Sequence, residues 1–176
     1  MRSSTLSIIS NAACLTVTNS TFAENNGGDQ SGAIYHNGLA NSAASTTIND
    51  STFTGNLADR EGGALFVNGN TTITQSTFTE NRADNAGGAI YAANNANLTV
   101  IDSTLSQNIA LADRTDNIAG IGGAIALASA TLNWQNSTIN NNTVKDEDSG
   151  IFSTNTILNI TGSTIQRHFT ANLSQV

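Results

Sequence analysis

The chain has 176 residues, 38% hydrophobic but only 11% charged, with no proline and a net charge of −7. That balance supplies no basic stripe to neutralise phosphates, so a nucleic-acid partner is excluded, and no apolar run reaches the roughly 20 residues of a membrane span. A single cysteine, Cys14, rules out an intramolecular disulfide, so packing must hold the fold.

At the start, Met1-Arg2 and Leu6-Ser7-Ile8-Ile9 give one charge and a brief apolar patch. The patch is shorter than the roughly 7–15 residues of a signal-peptide core. Ser4-Thr5-Leu6-Ser7 instead matches Ser103-Thr104-Leu105-Ser106, so residues 1–14 read as a truncated coil or cap. From residue 15 the chain repeats itself. The phrase Ser-Thr-Phe-x-x-Asn appears at Ser20-Thr21-Phe22 with Asn25, Ser51-Thr52-Phe53 with Asn56, and Ser76-Thr77-Phe78 with Asn81. It continues at Ser103-Thr104-Leu105 with Asn108, Ser137-Thr138-Ile139 with Asn142, and Ser163-Thr164-Ile165 with His168 in place of Asn. Between these lies Gly-Gly-Ala-Ile, as Gly32-Ala33-Ile34, Gly62-Gly63-Ala64-Leu65, Gly87-Gly88-Ala89-Ile90, Gly122-Gly123-Ala124-Ile125 and a degraded Ser149-Gly150-Ile151-Phe152. The period runs from 25 residues (Phe53 to Phe78) to 34 (Leu105 to Ile139), which is the signature of a solenoid.

Within each unit a period of two separates strand faces. The first strand turns Val17, Ile48, Ile73, Val100, Trp134 and Ile160 inward between outward threonines. The second turns in Phe22, Phe53, Phe78, Leu105, Ile139 and Ile165. The third turns in Ile34, Leu65, Ile90, Ile125 and Phe152, with Tyr35, Phe66 and Tyr91 on the other parity as an aromatic strip. The expected fold is all-β: a right-handed single-stranded parallel β-helix, or β-solenoid, of about five to six coils with three short strands per coil. Residues 1–176 form one domain, with repeats over 15–168 and a tail over 169–176. Asn25, Asn56, Asn81, Asn108 and Asn142 are expected to stack as a structural ladder and to take the left-handed conformation at the corner. The glycine pair lets the backbone turn into the third strand.

Phe-x-x-Asn alternating with Gly-Gly-Ala-Ile/Leu resembles the repeat of chlamydial polymorphic membrane proteins and, more broadly, the β-helical repeats of bacterial surface proteins and autotransporter passengers. The resemblance implies an extracellular or cell-surface β-solenoid used in adhesion, with a protein or glycan at a cell surface as its partner.

Enzyme chemistry finds little purchase. Pectin-lyase-like β-helices include polysaccharide-cleaving enzymes, and a glycosidase needs two carboxylates roughly 5–10 Å apart. Asp50 and Asp102 share a row with Asn19, Gln75 and Asn136, but stand two coils apart. His36 and His168 are far apart in the stack, and Cys14 has no histidine partner. No catalytic residue, cofactor or metal is therefore assigned. Charge collects in the turn after Phe-x-x-Asn, where residues 109–121 and 143–149 carry insertions. Asp113, Arg114, Asp116, Lys145, Asp146, Glu147 and Asp148 form the candidate binding edge, for a partner or Ca²⁺. Arg60 and Arg82 are expected to pair with Asp59 and Asp84 across coils. The expected function is a non-catalytic adhesive or structural module that self-associates end to end, because open coil ends expose unpaired backbone groups. Two other readings stay open: a polysaccharide-binding or polysaccharide-degrading β-helix, and an ice-binding protein using the outward threonine rows.

Overall fold

Short strands with one apolar row each cannot bury that row alone, so each unit stacks on the next. The structure, a computed structural model, describes residues 8–11, 13–38, 44–112, 120–145 and 150–170. Its strands stack into four parallel six-stranded sheets, each drawing one strand from every coil. Three of them are the sheets expected from the sequence. In chain order the first contains Leu15–Thr18, Ser45–Asn49, Asn70–Thr74, Asn97–Ile101, Thr131–Gln135 and Ile157–Thr161. The second contains the Thr-Phe-x strands from Thr21–Ala23 to Thr164–Gln166. The third contains Ile8–Asn11, Ile34–Asn37, Leu65–Asn68, Ile90–Ala93, Ile125–Ala128 and Ile151–Thr154.

A fourth sheet, absent from the three-strand reading, lies between the second and the third: Asn26–Gln30, Leu57–Glu61, Arg82–Ala83, Ile109–Ala110, Thr143–Val144 and Phe169–Thr170. It runs through the stretch expected to be a charged turn. Its buried row, Ala58, Ala83, Ala110 and Val144, sits two residues after each ladder asparagine. Two-residue strands with alanine as the buried residue leave almost no alternation to read.

Register is strict. Val17 aligns with Ile48, Ile73, Val100, Trp134 and Ile160 along the first sheet. In the second, Phe22, Phe53 and Phe78 stack with ring centroids 4.8 and 4.5 Å apart, within 2° and 1° of parallel. Phe53, Phe78 and Trp134 are wholly buried, each side chain contributing about 1.5–3 kcal/mol. One expectation fails in the third sheet: Ile151, not Phe152, pairs with Ile125, and Phe152 pairs with Ala126. The cause is that Gly150 occupies the alanine position of the motif, its carbonyl accepting from the N–H groups of Ala124 and Ile125. Phe152 therefore belongs to the row of Tyr35, Phe66 and Tyr91.

The corners differ from expectation in one respect. The left-handed residue is the one before each ladder asparagine, namely Glu24, Gly55, Glu80, Gln107 and Asn141, not the asparagine itself, and Arg167 before His168 does the same. The row Asn19, Asp50, Gln75, Asp102 and Asn136 also has φ of 47–49°, which gives these polar residues a backbone reason for their places. In the glycine pair the two members act differently. Gly62, Gly87 and Gly122 take φ of 62–67°, whereas a Cβ on Gly63 or Gly88 would run into the glycine carbonyl one coil along.

Candidate binding site

The asparagine row is buried and fully engaged. Nδ2 of Asn25, Asn56, Asn81 and Asn108 donates to Oδ1 of the next asparagine, at 2.8, 2.8, 3.0 and 2.9 Å, ending at Asn142. The same oxygens accept the backbone N–H of the preceding coil, and Nδ2 of Asn56, Asn81, Asn108 and Asn142 donates back to a strand carbonyl. From Asn56 to Asn142 the carboxamide oxygens each accept two hydrogen bonds and have no capacity left for a ligand. A second ladder escaped the sequence reading. The N–H groups of Ser20, Ser51, Ser76, Ser103 and Ser137 donate to Oγ of the next serine, which itself donates to a carbonyl two residues back. Its signal was present in the serine that opens every Ser-Thr-Phe phrase.

Of the candidate edge, Asp113, Arg114, Asp116, Asp146, Glu147 and Asp148 lie outside the described residues. Lys145 is half-buried just after Thr143–Val144, its N–H donating to Ala110. The expected cross-coil pairs are rearranged. Arg82 binds Asp84 of its own coil at 2.7 Å, and Arg60 lies 3.7 Å from Asp29 and 3.6 Å from Oε1 of Glu61. Each arginine pairs with an acid of its own coil, Arg60 with Glu61 and Arg82 with Asp84, while Asp59 faces solvent. Among the described residues no three histidine, cysteine or acidic side chains gather as metal ligands, and no helix is long and apolar enough to cross a membrane.

Glu61 is the residue the sequence did not single out. It ends Leu57–Glu61, pairs with Gln30 and bridges to Ala86, so the fourth sheet places it against the outer face of the third. It is only 9% exposed, and its Oε2 has no hydrogen-bond partner among the described residues. Burial raises its pKa, opposed by Arg60, reinforced by Asp29 and opposed again by the Gln30 side chain. Tyr91 is raised too, by burial and then by the charge of Glu61.

The aromatic strip runs beside it. Tyr35, Phe66 and Tyr91 stack with centroids 4.9 and 5.2 Å apart at 28° and 32°, so Phe66 is sandwiched and 4% exposed. The three rings thus stack into the strip expected from the sequence, with the middle ring covered by its neighbours. An open cleft of about 290 Å³ remains between Glu61 and Gln30 on one side and the corner residues Asn94 and Ser129 on the other, floored by Ala93 and Ala128. The outward threonines of the first and second sheets form exposed or half-buried rows, which pass to Asn133 and Asn159, hydrogen-bonded to each other at 2.8 Å.

Neither a curated protein nor a solved structure matches the chain. A family match does exist, and it falls on the coils that hold Glu61, Phe66 and Tyr91: residues 50–72 and 75–93 match the model of the Chlamydia polymorphic membrane protein (Chlamydia_PMP) repeat, the family whose repeat Phe-x-x-Asn and Gly-Gly-Ala-Ile resemble.

Proposed function

We propose that this β-solenoid is displayed at a cell surface or secreted and serves as a non-catalytic adhesive module. The observation that carries the reading is the similarity of two central coils to the polymorphic membrane protein repeat. The chemistry of the molecule agrees with it. Its repeated asparagines and serines are engaged in two internal ladders, and among the described residues the cleft presents one carboxylate, Glu61, where glycoside hydrolysis takes two. A rigid stack with a recessed polar cleft is suited to holding a partner.

End-to-end association belongs to the same proposal. Leu158, Ile160 and Ile165 are 41, 45 and 43% exposed on the last described coil, whereas their equivalents one coil earlier, Leu132, Trp134 and Ile139, are covered and buried. A further coil supplied by another copy would cover them.

The test is immunolabelling of intact producing cells, with adhesion of beads coated in the chain to cultured cells. We expect labelling without permeabilisation and adhesion above that of uncoated beads. Label appearing only after permeabilisation, or release of reducing ends from a polysaccharide panel, would sink the proposal.

A further inference from the structure

The geometry points to a neutral saccharide as the occupant of the cleft between Glu61 and Tyr91. This deepens the adhesive reading, on which it rests, by naming the chemical class of the ligand. Three observations carry it. First, a buried polar atom without a partner is costly, and Oε2 is one such atom in Glu61, a residue that lines the open cleft. Arg60 lies by the other oxygen at 3.6 Å and the Gln30 side chain hydrogen-bonds the carboxylate, so the group has a counter-charge and a donor, and it is Oε2 alone that lacks one. Sugar hydroxyls are neutral donors, and a neighbouring pair of them suits one carboxylate.

Second, the aromatic stack ends at Tyr91, because the next residue in its row is Ala126. The Tyr91 ring therefore lies beside a floor of small side chains, an apolar plate for the C–H face of a pyranose ring. Third, the far rim is polar. Asn94 donates through Nδ2 to Asn68 at 3.0 Å, which fixes its amide at the rim, and Ser129 adds a hydroxyl. A ring-sized apolar plate between a carboxylate and an amide-hydroxyl rim matches a polyhydroxylated ligand better than an apolar peptide. The volume of about 290 Å³ is at the small end of ligand sites, which selects a terminal mono- or disaccharide unit. Glu61 and the net charge of −7 disfavour uronates and sialylated glycans.

The full chain is screened against immobilised neutral oligosaccharides of glucose, galactose, mannose and N-acetylhexosamines, with uronate and sialylated glycans and Lys/Arg-rich peptides alongside. The best neutral sugar is then titrated by calorimetry. Binding is expected to neutral sugars, and to weaken at least tenfold in Tyr91→Ala and in Glu61→Gln while Thr72→Ala on another sheet binds as before. Melting curves verify that both cleft variants fold. No neutral sugar bound, equal affinity in both cleft variants, or preference for acidic glycans or basic peptides overturns the assignment. Bead adhesion measured on the same proteins separates the two ideas. Adhesion that persists without sugar binding refutes the cleft alone, and sugar binding without adhesion supports the cleft and refutes the adhesive role.

Discussion

His36 shows what a single residue in the inward grid can cost. It occupies the core row of Val67, Ala92 and Leu127 and is fully buried, with neither ring nitrogen hydrogen-bonded among the described residues. Burial lowers its pKa below the ordinary 6.5, so the folded chain keeps it neutral while the unfolded chain protonates. Its contribution is intact above pH 6.5 and is lost progressively as pH falls below that value towards the depressed folded pKa. His168 is lowered by burial as well, against an opposing Asn142 backbone contact. Thermal melts from pH 8 to pH 5 should therefore show a falling melting temperature. His36→Leu should flatten part of that fall, leaving the share of His168. An unchanged pH profile in His36→Leu would mean that the ring finds a proton acceptor in the folded chain.

At the scale of an element, the two ladders hold the corners that join one sheet to the next. Asn81→Ala removes an oxygen that accepts from Asn56 twice and an amide that donates to Asn108 and Phe53. Several buried groups lose partners at once, so a loss of about 3 kcal/mol is expected, read by chemical denaturation. A midpoint shift too small to resolve would show that the stack relaxes around the gap. The ladder asparagines could be recognised in the sequence because Phe-x-x-Asn recurs with an apolar residue at a fixed distance. The fourth sheet could not: Arg82–Ala83 and Ile109–Ala110 are too short for alternation, and their charged neighbours look like a loop. Glu61 was hidden for the same reason. It looked like one acid among several in a solvated edge, and only the parallel pairing of Gln30 with Glu61 turns it against Tyr91. Phe152 was misplaced because insertions before Gly150 blurred which glycine of the motif survives.

On the scale of the whole molecule, the last described coil leaves its apolar rows uncovered among the described residues. Ile160 continues the row of Trp134 and Ile165 the row of Ile139, yet both are over 40% exposed while Trp134 and Ile139 are buried. The purified chain is expected to self-associate with rising concentration. Ile160→Lys with Ile165→Lys should shift it towards monomer, because a lysine pair on that face cannot be buried without a counter-charge. Light scattering at several concentrations reads the result, and a monomer at all of them without the substitutions would refute the association.

The direction of the hydrogen bonds in the ladders constrains how copies could meet. Every ladder carboxamide oxygen from Asn56 to Asn142 faces the coil before it, and every serine Oγ in the second row accepts from that same side. Along the described coils the stack is thus a vector: its row begins at the Asn25 carboxamide and closes, one coil after Asn142, at the His168 imidazole, two chemically unlike groups. Two copies brought together by identical ends would set oxygen against oxygen or imidazole against imidazole and leave the ladders broken at the seam. A twofold dimer through the coil ends is therefore disfavoured, and any axial assembly must keep one polarity from first copy to last, so that a growing filament would add subunits with unequal faces at its two tips.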